Sequence, residues 1–86
     1  MQTKESGTFQ VPAKRYRIGE IIHNTPFTRQ TIHNYTTMGL IQESDWTKGG
    51  HRLYDENVFA TLSQIIDLRK TKTLSQIRDI LKEQNN

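Results

Sequence analysis

Apolar positions recur at helical spacing in four stretches of the chain. Ile18, Ile21 and Ile22 share one face, which predicts a short first helix over 18–23. Asn24-Thr25-Pro26 ends it, because Pro26 biases Thr25 away from helix. Ile32, Tyr35 and Met38, three apart, predict a second helix over 28–38. Thr28 is its expected N-cap, with a hydroxyl that can accept from a free first-turn N–H. Gly39 can take the left-handed conformation that closes it. Val58, Leu62, Ile65, Ile66 and Arg69 fall on one stripe with Phe59 beside it, predicting a third helix capped by Asp55 and running to about Lys70. Leu74, Ile77, Ile80 and Leu81 are the expected buried face of a fourth helix. Thr73 and Gln76 have the spacing of a capping box at its start.

The period changes between the second and third helices. Ile41-Gln42-Glu43 and His51-Arg52-Leu53-Tyr54 each predict a short strand, and Gly49-Gly50 offers the positive φ angles of a hairpin turn. Two short helices joined by a tight turn, the second polar on its outer face, predict a helix-turn-helix; a hairpin directly after it is a wing. The expected fold is mainly α: four helices and a small β-hairpin wing, in one domain over 16–84. Residues 1–15 lack periodicity and are expected to be a flexible tail. The tail runs into Lys14-Arg15-Tyr16-Arg17, three cations around one aromatic. This is either a solvated strand with Tyr16 on the core or an arm against a phosphate backbone.

Composition narrows the chemistry. The formal net charge of +3 is compatible with nucleic acid without requiring it. There is no cysteine, hence no disulfide and no thiolate metal site. No apolar run approaches membrane-spanning length, so a cytoplasmic protein is expected. His23, His33 and His51 are not spaced as a helical metal pair. Ser44, Ser63 and Ser75 lack a visible base, and no glycine-rich phosphate loop is present. The expectation is a protein that is not an enzyme and needs no cofactor.

Four motifs occur in order: Tyr16-Arg17-Ile18-Gly19-Glu20-Ile21; Thr31-Ile32-His33-Asn34-Tyr35 with Gly39-Leu40-Ile41; Gly50-His51-Arg52-Leu53-Tyr54; and Leu74-Ser75-Gln76-Ile77-Arg78. Together they resemble the DNA-binding domain of the MerR family of bacterial transcription regulators. That resemblance implies a winged helix-turn-helix whose second helix enters the major groove of double-stranded DNA, while the wing grips phosphates. The residues it nominates for DNA binding, with the polar face of the second helix, are Arg17, Thr28, Arg29, Gln30, His33, Tyr35, Lys48, His51, Arg52 and Tyr54. Tyr35 is expected both to support the helix and to reach the backbone.

The chain also departs from the family pattern. His33-Asn34 stands where many members have Arg-Tyr. Asp45 stands where the wing often carries an arginine, and would repel phosphate unless Lys48 takes over that contact. Thr71-Lys72 replaces a common glycine between the last two helices. Trp46 is expected to pack under the wing, the alternative being a place on the sugar–phosphate surface. The family's long dimerisation helix and effector segment have no counterpart before Asn86, so a monomer without DNA and no small-molecule effector site are expected. Alternative readings are an excisionase-type architectural protein assembling with itself on DNA, and a winged interaction module binding an acidic protein partner. A location at the nucleoid follows from the DNA readings.

Overall fold

In the computed structural model, residues 14–84 are described; most of the expected tail lies outside them. The elements in order are β1 (Tyr16–Arg17), α1 (Ile18–His23), α2 (Arg29–Met38), β2 (Asp45–Trp46), β3 (Arg52–Tyr54), α3 (Asn57–Leu68) and α4 (Leu74–Gln84). The four helices are those expected, and a hairpin stands between α2 and α3 as expected, though with a different first strand. The segment before α1 adds a strand, so the sheet has three antiparallel strands in the order β1-β3-β2. Tyr16 pairs with Tyr54, and its ring meets Phe59 edge-on at 5.0 Å. That settles Tyr16 on the core.

Local chemistry explains the helix ends. Glu20 accepts the Arg17 N–H at 2.9 Å, one half of a capping box; an arginine side chain has no acceptor to supply the other half. This bond, aided by the nearby Lys14 ammonium, holds the Glu20 carboxyl below its ordinary range. Thr28 accepts the Thr31 N–H at 3.1 Å, as expected. Gly39 has φ 82°, and the Leu40 N–H reaches back to the Tyr35 carbonyl at 2.9 Å, the Schellman pattern. Asp55 accepts from the Asn57 N–H at 2.9 Å at the start of α3. Thr73 and Gln76 exchange both capping-box bonds, at 2.9 and 3.2 Å.

One core joins every helix. Ile21, Ile32, Tyr35, Leu40, Ile41, Tyr54, Val58, Leu62, Ile65, Ile77 and Leu81 are all buried, and no polar or charged residue is buried with them among the described residues apart from the tyrosine hydroxyls. Two parts of the expected apolar stripe of α3 fall outside this core. Ile66 is 41% exposed and Arg69 lies beyond the helix in an exposed turn. The buried stripe follows Val58, Leu62 and Ile65, at i, i+4 and i+7. Ile66 is a further 100° round the helix from Ile65 and so turns to solvent.

The hairpin is also placed differently. Ile41-Gln42-Glu43 is irregular, and pairing begins at Asp45. Leu40 and Ile41 are adjacent and both buried, whereas neighbours on a strand point to opposite faces. Only Gly50 has positive φ, 85°; Gly49 does not. The Gly50 N–H bonds the Thr47 carbonyl at 3.0 Å and the Thr47 N–H bonds the His51 carbonyl at 2.8 Å. This is a three-residue hairpin loop over Lys48, Gly49 and Gly50, with a tight turn followed by one left-handed residue.

Candidate nucleic-acid interface

The outward face of α2 is set by what its inward face buries. Ile32 and Tyr35 go to the core, so Arg29, Gln30 and His33 are turned away from it. Arg29 and Gln30 are exposed, and Gln30 donates to the Asn34 side chain at 3.0 Å. The β3 strand lies against the same helix. Alternate residues of a strand share a face, and residues three apart share a helix face, so two rungs can form between them. Arg52 Nη1 lies 3.4 Å from His33 Nδ1, and the Tyr54 hydroxyl lies 2.8 Å from that of Thr36. The wing is thereby tied to the helix at two levels.

Arg52 is the centre of the upper rung. Its Nε donates to Glu43 at 2.8 Å, and its guanidinium lies 5.1 Å from the Trp46 ring centroid, directly across the β2–β3 pair. A guanidinium has five N–H donors in one plane, so this arrangement fixes the plane and leaves donors unused. Six of the nominated residues (Arg17, Arg29, His33, His51, Arg52 and Tyr54) line a single cleft of about 480 Å³ between α1, α2 and the wing. Lys48 stands at the exposed tip of the hairpin, and Thr28 and Gln30 are exposed along α2 outside the cleft. His51 is held in the turn, its N–H bonded to the Thr47 hydroxyl at 3.1 Å.

Two nominated tyrosines are placed by the structure in supporting positions. Tyr54 is wholly buried, and its hydroxyl is spent on Thr36, so it is corrected from a surface contact to a core residue beneath the wing. Tyr35 is 8% exposed and packs edge-on against Phe27 at 5.7 Å, which fits the helix-supporting part of its expected role. Trp46 is corrected in the opposite direction. It is 50% exposed, not packed under the wing. Sequence reading also missed Glu43 as the partner of Arg52, a contact made by the two long side chains and not by strand pairing. Among the described residues no group of three or more His, Asp or Glu is placed to hold a metal ion. No described helix is long and apolar enough to cross a membrane.

Residues 16–84 match the sequence pattern of the MerR HTH family regulatory proteins. The chain belongs to that family. It is 36% identical over 73 residues to the HTH-type transcriptional regulator CueR of Bacillus subtilis, covering 84% of this chain and 50% of that protein. It is 41% identical over 66 residues to the nodulation protein NolA of a Bradyrhizobium species, covering 76% of this chain and 28% of NolA. The fold superposes on a MerR-family transcriptional regulator from Bacillus cereus with a TM-score of 0.71 at 29% identity, over 79% of this chain and 52% of that one. It superposes similarly on the N-terminal part of MtaN, the Bacillus subtilis multidrug transporter activator, with a TM-score of 0.72 at 25% identity, over 77% of this chain and 63% of that one. The chain thus spans half or less of the length of these curated relatives. The matched family is one of helix-turn-helix regulatory proteins.

Proposed function

We propose that this domain reads a short duplex site with α2 in the major groove and the β2–β3 wing along one strand of the backbone. The observation that carries this reading is the convergence of Arg17, Arg29, His33, His51 and Arg52 on one cleft between helix and wing. Lys48 and Arg52 meet phosphates and set the register; His51 and Arg17 flank them. Arg29, Gln30 and His33 present their donors and acceptors to base edges. Thr28 lies where α2 meets the backbone, and Tyr35 and Tyr54 hold the two elements at a fixed separation. Asp45 faces the duplex unfavourably, and Lys48 at the hairpin tip supplies the contact in its place.

A single module of this size binds modestly, so full occupancy calls for repeated sites, a second copy on DNA or a protein partner. The reading places the protein in the cytoplasm at the nucleoid and gives the domain no catalytic role. The test is fluorescence anisotropy of labelled duplexes tiling the region upstream of its own coding sequence, at two salt concentrations and with excess unrelated competitor. Binding that resists competitor and weakens steeply with salt is expected. Binding lost equally to any competitor removes the claim of sequence reading. No binding at low salt removes the DNA reading and favours an acidic protein partner for the same basic face.

A further inference from the structure

We propose that Trp46 is a direct DNA contact of the wing, an apolar platform for a deoxyribose next to the phosphate that Arg52 binds. The proposal rests on the DNA reading above and adds to it a residue of a different chemical type. Trp46 and Ile66 are the two large exposed hydrophobic side chains among the described residues, and only Trp46 lies at the cleft. An indole left half in water on a hairpin strand is not serving the core.

Its orientation is held by neighbours. Trp46 sits directly opposite Arg52, whose guanidinium lies 5.1 Å from the ring centroid. That guanidinium is in turn fixed by Glu43 at 2.8 Å and by His33 at 3.4 Å. The main-chain N–H of Trp46 is taken by the Asp45 carboxylate at 2.8 Å, which steadies the strand that carries the ring. The cleft therefore offers a rigid apolar surface beside fixed cations. A DNA strand alternates anionic phosphates with apolar sugar faces, and this pairing of cation and ring matches that alternation. Basic side chains alone would suit phosphates and leave the indole unexplained.

Trp46 is the only tryptophan in the chain, so the unmodified protein reports on itself. Its fluorescence and its quenching by acrylamide are measured as the upstream duplexes are titrated in, with anisotropy of a labelled copy as an independent record of binding. The expected result is a several-fold fall in acrylamide accessibility that follows the anisotropy. Trp46→Ala is expected to weaken binding by about five-fold or more with its melting temperature kept and its salt slope unchanged, because an indole neutralises no phosphate. Trp46→Phe keeps a ring and recovers part of the loss. Binding by anisotropy with unchanged indole accessibility overturns the proposal. So does a salt slope that falls by about one in Trp46→Ala, which makes the ring a positioner of Arg52 alone. No binding to any duplex overturns the DNA reading, and this proposal with it.

Discussion

The Thr36 hydroxyl donates to the Ile32 carbonyl at 2.8 Å, so the hydrogen between Thr36 and Tyr54 belongs to Tyr54. The Tyr54 O–H is thus the donor that ties the wing to α2 inside the core. Tyr54→Phe keeps the buried ring and deletes only that bond. It is expected to lower stability by about 0.5–1.5 kcal/mol, read as a lower urea midpoint with an unchanged slope. Glu20 acts at the other side of the cleft, where its carboxylate accepts the Arg17 N–H. Its folded-state proton affinity is lowered, so its contribution is present at neutral pH and is lost as pH falls through the depressed value. Thermal melts of the wild type and Glu20→Gln should differ at pH 7 and converge as pH falls below about 4, with the wild type the more stable at the higher pH. A gap that widens in acid would contradict this sign.

At the scale of elements, the termini decide where α2 sits. Gly39 closes the helix at φ 82°, and a Cβ there would meet nothing within 4 Å. The penalty for Gly39→Ala is therefore backbone strain alone, about 1–2 kcal/mol, and Gly39→Asn should lose less, since asparagine tolerates this conformation. Denaturation of the pair measures that order. The helices were legible in the sequence because their signals are local: a threonine or aspartate at the start, apolar residues three and four apart, a glycine at the end. The hairpin was legible only in outline. Its glycine turn was visible, but its register depends on Leu40 and Ile41 both being drawn into the core, which delays pairing until Asp45. The Glu43–Arg52 contact depends on the reach of two long side chains, and the Trp46–Arg52 pair on that register; neither is local. Trp46, expected to pack under the wing, was misplaced for the same reason.

At the scale of the whole molecule, the helix that faces the duplex is also a wall of the core. Ile32 is fully buried, while Arg29, in the same helix, is exposed and lines the cleft. A domain this small has a single core and a narrow stability margin, so the two faces of α2 should separate under mutation. Ile32→Val removes one buried methyl group and is expected to lower stability by about 0.5–1.5 kcal/mol. Below its transition the folded fraction stays close to one, so its DNA affinity there should match the wild type. Arg29→Ala removes no buried contact and should melt as the wild type does, while its affinity for the upstream duplex falls. Added duplex should raise the melting temperature of Ile32→Val as much as that of the wild type, and that of Arg29→Ala by less, because ligand stabilisation follows affinity. If Arg29→Ala lost stability and affinity together, its side chain would belong to the scaffold; if Ile32→Val lost affinity while fully folded, the core face would be setting the position of the reading face by small shifts of α2.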